Sequence, residues 1–278
     1  MDTDNAPVVL VEHFIITSSF LKRDVELDIY YPPGFDNTAD VSLLLINDGQ
    51  DLRKMVFENI LDDLYAGDTL LPLLCVGIHC SGDRRNEYGT AQILDYKGRG
   101  TTALAYQNFV FGELLPFVRK ASNKASFKDK SFCGFSLGGL SAMDIVWNHA
   151  NEFYRVGVFS GSFWWRTVGQ HDILFDEDLH RVMHMQVRKG TYKPWLKFFF
   201  ETGTLDETAD RNNNGVIDAI DDTISLIYEL QMKGYDREND IKYVELADGR
   251  HDVPTWAKAF PAFLIWGWGQ NNFIPDNN

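Results

Sequence analysis

Two spacings of apolar residues alternate along this chain, and the switches between them outline its architecture. Val25-Glu26-Leu27-Asp28-Ile29-Tyr30 alternates residue by residue, which predicts a half-exposed strand at an antiparallel edge. Pro32-Pro33-Gly34 ends it. Residues 41–46 are apolar but for Ser42, the mark of a buried strand. Residues 71–78, 132–135, 154–159, 195–200 and 241–246 are predominantly apolar and read as further strands of the series. Helical spacing fills the intervals. Phe111, Leu114, Leu115 and Val118 fall at i, i+3, i+4 and i+7, and Pro116 within that run predicts a kink or a split. Residues 172–187 and 223–232 also read as helices. Strands alternating with helices predict an α/β fold, with a mostly parallel central sheet and helices on both faces. No internal repeat or low-complexity linker divides the chain, so residues 1–278 are expected to form one domain.

Composition narrows the function. Hydrophobic residues make up 45% and charged residues 24%, a globular balance that can build a large core. A net charge of −14 argues against nucleic acid or an anionic membrane as partner, and leaves small molecules and cations. A homodimer is compatible with this composition. Cys75, Cys80 and Cys133 form no disulfide framework and no zinc spacing, and read as free, buried thiols. The opening Met1-Asp2-Thr3-Asp4 lacks a basic segment followed by an apolar one, and no run is long enough to span a bilayer. The expected address is cytoplasmic. A periplasmic protein with a trimmed leader is the other arrangement the sequence allows, and it suits a calcium-binding loop better.

The chemistry concentrates at Gly134-Phe135-Ser136-Leu137-Gly138-Gly139, between an apolar strand and an apolar-periodic helix. Strand, Gly-x-Ser-x-Gly, then helix is the setting of a nucleophile elbow, in which flanking glycines make room for a sharp turn. It falls at the carboxyl end of a strand, where reactive groups gather in such sheets. Serine needs a base, and the base needs an orienting acid. On α/β hydrolases the order is Ser, acid, His. Of the later histidines, His149 lies too far along the elbow helix. His180 and His184 share a helix face at i, i+4 but lack the glutamate of a metalloprotease motif. His251 follows the last strand, in Asp248-Gly249-Arg250-His251-Asp252, and is the expected base. Asp206 follows the preceding strand and is the expected acid, with Glu201, Glu207 and Asp210 as nearby competitors. The oxyanion hole is expected from the backbone amide of Leu137 and from that of Gly49 or Gln50 in Asn47-Asp48-Gly49-Gln50.

Several segments occur together in order: Asn47-Asp48-Gly49-Gln50, Arg85-Asn86-Glu87-Tyr88-Gly89, Glu113-Leu114-Leu115-Pro116, the elbow, Gly203-Thr204-Leu205-Asp206 and Arg250-His251-Asp252. The set resembles the putative esterase family, which holds enterochelin esterases, feruloyl and acetyl-xylan esterase modules, and mycolyltransferases. The resemblance spans roughly residues 25–268. It implies an α/β-hydrolase fold, the triad Ser136, Asp206 and His251, and ester hydrolysis or acyl transfer without an organic cofactor.

One segment departs from that pattern. Counting from Asp210, oxygen-bearing side chains stand at positions 1, 3, 5, 9 and 12 (Asp210, Asn212, Asn214, Asp218, Asp221), with Gly215 at 6 and the Val216 carbonyl at 7. That is the grammar of an EF-hand calcium loop, with aspartate in place of the final glutamate, as in dockerin-type loops. Structural Ca2+ of modest affinity, holding the loop after Asp206, is expected.

Ser160-Gly161-Ser162-Phe163-Trp164-Trp165-Arg166 follows the next strand and should lie beside the nucleophile. Trp164 and Trp165 are candidates for a substrate wall, with burial in the core as the alternative. Arg84 and Arg85 fit a fold-maintaining ion pair better than an anionic substrate. The substrate expected is a small-molecule ester of an acyl, aromatic-acid, sugar or siderophore type. The same triad would also serve an acyltransferase or, less readily, a serine peptidase. A silent triad would leave a non-catalytic calcium- or carbohydrate-binding module.

Overall fold

The structure, a computed structural model, describes residues 8–270; the Met1-Asp2-Thr3-Asp4 opening lies outside the described residues. Eight strands form one sheet: β1 (Leu10–Ser18), β2 (Arg23–Tyr31), β3 (Ser42–Asn47), β4 (Leu73–Ile78), β5 (Lys130–Phe135), β6 (Arg155–Phe159), β7 (Lys197–Leu205) and β8 (Ile241–Arg250). Their order is β1-β2-β4-β3-β5-β6-β7-β8. The β1–β2 and β2–β4 pairs are antiparallel, and all pairs from β4 to β8 are parallel. Helix α1 (Phe57–Ala66) packs on one face. A single turn, α2 (Arg84–Glu87), leads to α3 (Ala103–Phe109) and α4 (Leu115–Ala121) on the other face. There they are joined by α5 (Leu137–Asn148), the short α6 (Glu177–His180), α7 (Val182–Lys189) and α8 (Asp218–Lys233). The last helix, α9 (Val253–Trp268), returns to the first face beside α1. The mostly parallel α/β architecture is the one the periodicity predicts.

The strand at residues 25–30 is antiparallel, but it is not an edge. β2 lies between β1 and β4, and β1 forms the edge. Its alternation reflects two covered faces. Val25, Leu27 and Ile29 enter one core cluster, while Tyr30 enters the other. Asp28 is fully buried because His13 and His79 each place a ring nitrogen 2.9 Å from its carboxylate. Burial alone would raise its pKa, but those two rings and Arg53 hold it down at about 2.

Pro116 acts through helix register. Between α3 and α4 the backbone widens into a π turn at Val110–Leu114, and Pro116, which lacks an N–H, stands just after it in the first turn of α4. Residues 172–187 are not one helix. The chain breaks at Arg181 (φ −72°, ψ 111°), which bridges to Arg166 and turns its guanidinium to Asp222. His180 and His184 therefore stand on different helices. Cys75 and Cys133 are buried and Cys80 is half-buried beyond β4; all three are free thiols. No helix among the described residues is long and apolar enough to cross a membrane.

The turn from β5 to α5 leaves no room for a side chain. A Cβ on Gly134 would stand 2.4 Å from the carbonyl oxygen of Gly138 and 2.9 Å from Cβ of Asn47. We expect Gly134→Ala to destabilise the protein by about 2–4 kcal/mol, read as a lower denaturation midpoint at unchanged m. An unchanged midpoint would show that the turn relaxes freely.

Candidate active site

Ser136 has φ 55° and ψ −121°, a backbone conformation that L residues rarely adopt. Neighbours on both sides fix it. Its amide donates to the carbonyl of Phe159 (2.9 Å), and its own carbonyl accepts from Leu140 (3.1 Å) and Ser162 (3.2 Å). The strain lifts the hydroxyl off the sheet at the amino end of α5.

The segment from Asn47 to Gln50 is tied to this turn. Asn47 Nδ2 donates to the Gly138 carbonyl at 2.7 Å, and the Tyr106 hydroxyl donates to Asn47 Oδ1. Arg84 grips both oxygens of buried Asp48 at 2.7 Å and also donates to the Phe135 carbonyl at 2.9 Å. Desolvation works against the guanidinium charge, but the Asp48 carboxylate outweighs it and raises the Arg84 pKa. Arg84 is thus the ion-paired residue expected, while Arg85 is exposed. Gln50 is held by its side chain, whose Oε1 accepts from the Cys80 amide at 3.1 Å. Gly49, Gln50 and Leu137 open short or long helices, so their amides have no intrahelical acceptor.

Asp206 follows β7 and His251 follows β8, neighbouring parallel strands, so both stand at the same sheet end as Ser136. Trp256, in the first turn of α9, joins the two sides. It stacks on Phe135 (centroids 5.0 Å), meets the His251 ring edge-on at 5.4 Å, and donates from Nε1 to Ser160 Oγ at 2.9 Å. The helix start is fixed by Asp252, which accepts from the Thr255 amide. No closed triad of hydrogen bonds is formed. The Ser136 hydroxyl lies 3.3 Å from that of Ser162, and both carboxylate oxygens of buried Asp206 lack a hydrogen-bond partner. Catalytic hydrogen bonds commonly tighten only with substrate. Desolvation lowers the pKa of His251 and outweighs the Asp206 charge that raises it; Arg84 lowers it further. Asp206 is raised, chiefly by burial, although the nearby Ser160 hydroxyl and His251 favour its charge.

Ser162 does lie beside Ser136, but the tryptophan pair divides. Trp165 is 0% exposed, packs against Gly89 and Gly100, and donates to the Ile93 carbonyl at 3.2 Å, so it belongs to the core. Trp164 is half-buried, with the Arg99 guanidinium 4.9 Å from its ring. Trp256 and the Asn47–Tyr106–Gly138 link escaped the sequence reading. Only the position of Trp256 just beyond His251 hinted at a role.

The loop from Asp210 turns sharply. Asn213 and Gly215 take positive φ (56° and 84°), and the Asp210 carboxylate accepts from the amides of Asn214 and Gly215. Asp218, however, is engaged by Arg211, through its amide at 2.9 Å and its guanidinium at 3.3 Å. Asn212 donates to Asp221 at 3.0 Å. Among the described residues no three His, Cys, Asp or Glu side chains are grouped to hold a metal ion.

Residues 18–266 match the model of the family described as "Putative esterase". The chain belongs to that family. It is 20% identical over 249 residues to the uncharacterized protein YbbA of Bacillus subtilis, covering 87% of this chain and 92% of that one. Its fold is that of the enterobactin esterase from Shigella flexneri (TM-score 0.73, 22% identity, 98% of this chain and 62% of the other). It is also that of the siderophore hydrolase EstB from Aspergillus nidulans (TM-score 0.66, 19% identity, 91% and 94%). The chain spans about three-fifths of the length of the Shigella enzyme.

Replacing Arg84 by methionine leaves the buried Asp48 charge unpaired. The expected cost is about 3 kcal/mol in denaturant unfolding, and Arg84→Met with Asp48→Leu should recover part of it. Equal losses in the single and double variants would mean that the pair is not the source of the effect.

Proposed function

We propose that this protein is a serine carboxylic-ester hydrolase with Ser136 as nucleophile, His251 as base and Asp206 as the acid that orients it. The strained Ser136 backbone carries this reading, because such strain persists only where the surroundings impose it. His251 takes the Ser136 proton as Oγ attacks the ester carbonyl, and the alcohol leaves with that proton. Water, deprotonated by His251, then releases the acid. The amides of Leu137 and of Gly49 or Gln50 supply the oxyanion hole. The half-buried Trp164 offers an apolar wall, which suits an aromatic-acid or siderophore ester such as those acted on by the enterobactin esterase and siderophore hydrolase of the same fold.

The same proposal includes a structural calcium ion. Asp210, Asn212, Asn214, the Val216 carbonyl, Asp218 and Asp221 supply the oxygen donors that this hard cation takes. The pairing of Asp218 with Arg211 competes for one of them, so modest affinity is expected. Bound calcium would brace the segment that links Asp206 to α8; it takes no part in the ester chemistry.

Ser136→Ala should cut turnover of p-nitrophenyl acetate and methyl ferulate by about 10⁴-fold or more while leaving the melting temperature near wild type. Equal slow rates in both proteins would remove Ser136 from the mechanism. Because catalysis needs neutral His251, and its pKa lies below the ordinary histidine value, kcat/KM should hold down to below pH 6.5 before it falls. An acid limb centred above pH 7 would contradict that environment. Calcium should raise the melting temperature over that in EGTA, and isothermal titration should show one site that Asp210→Ala abolishes; no heat and no shift would exclude the ion.

A further inference from the structure

Glu201 is the most unusual buried group outside the proposed triad. It is 0% exposed, and both of its carboxyl oxygens lack a hydrogen-bond partner. It shares that condition with Asp206, whose two oxygens are also buried and unpartnered. The two lie in one compartment. Glu201 and Gly203 point to the same face of β7, by the alternation of a strand. A Cβ on Gly203 would come within 2.9 Å of Asp206 Oδ1, so the Asp206 carboxylate folds back over Gly203 toward Glu201. Phe159 stands level with Glu201 on β6. Trp256 closes the space from α9 through its bond to Ser160. None of these three supplies a charge.

We infer that Glu201 is a positioning residue for the esterase reaction: it holds a proton beside Asp206, so that the two carboxyls carry one negative charge and Asp206 keeps it for His251. This rests on the reading of Asp206 as the triad acid. Two ionised carboxylates in one desolvated compartment repel, and one proton between them removes that cost. Burial, followed by the Asp206 charge, pushes Glu201 up to about 8. The other titratable groups around the pair are Glu207 just after Asp206, His251 and Asp252 beyond β8, and Tyr243 on β8. None is a fixed cation that could take over the neutralisation.

Loss of the Glu201 proton would put a second charge behind His251, stabilise its protonated form and disturb Asp206. Wild-type kcat/KM should therefore decline by severalfold above about pH 8, with kcat carrying the fall and KM little changed. Glu201→Gln keeps the shape and a fixed neutral state, so it should remain active at pH 7 and lose the alkaline decline. A decline identical to wild type would overturn the inference. Wild-type infrared spectra supply a second reading should the variant not fold. A protonated-carboxyl stretch that titrates away near pH 8 is expected, and no such titrating band would overturn the inference equally. Asp206→Asn separates the two ideas. If it keeps wild-type activity, the triad reading fails. If it is inactive while the Glu201→Gln and infrared tests fail, the proton-holding role falls alone.

Discussion

The bidentate contact between Arg84 and Asp48 is the constraint on which the site depends. The proposed nucleophile and oxyanion loop follow strands far apart in sequence, β5 and β3, that are neighbours in the sheet. Adjacent strands do not by themselves fix the loops beyond them. Arg84 does so by holding Asp48 with two bonds and the carbonyl before Ser136 with a third. A lysine would supply the charge but not the fork. The contact also explains the loop's backbone: Asp48 sits at φ 59°, and its amide donates to the buried Tyr88 hydroxyl. Asp48 would come within 2.5 Å of a Cβ on Gly138, so the ion pair also demands the glycine of the elbow motif.

Buried negative charge is handled in two ways at this end of the sheet. Around Ser136 a guanidinium balances it. Behind His251, among the described residues, no cation stands beside Asp206 and Glu201, and aromatic rings wall the compartment. The difference suits the proposed chemistry. A fixed cation beside the acid would draw its charge away from His251 and further lower the basicity of the imidazole. An acid paired with a second carboxyl retains its field toward the base.

Much of this was legible in the sequence. Predominantly apolar runs located β3 to β7, because strands covered on both faces favour that pattern, whereas β8, partly exposed and carrying Lys242 and Glu245, shows it more weakly. Chain order then placed Ser136, Asp206 and His251 after β5, β7 and β8. What escaped was tertiary. Strand β1 is largely exposed at the sheet edge, and its apolar residues neither alternate nor form one continuous run. The position of β2 was misread because the sequence cannot show that His13 and His79 satisfy Asp28. Trp165 was undecided for the same reason, since only the fold brings Gly89 and Gly100 against its ring. Helix 172–187 failed at Arg181, where burial of an ion pair overrode local propensity.

That same ion pair shows how the acidic surplus of the chain is used. Arg181 and Arg211, both nearly buried, converge on Asp222, and Glu177 and Asp218 complete the cluster. The cluster joins three segments: the turn before α7, the start of α8, and the loop that descends from Asp206. Two arginines serve three carboxylates here, so the cluster keeps a residual negative charge beside the Asp210 loop. Arg211 alone can anchor that loop at its second position, which gives it a defined shape before any cation arrives. A cation would then add to an existing structure rather than create one. The loop that follows Asp206 is accordingly shaped first by arginine, and only secondarily by any ion it takes up.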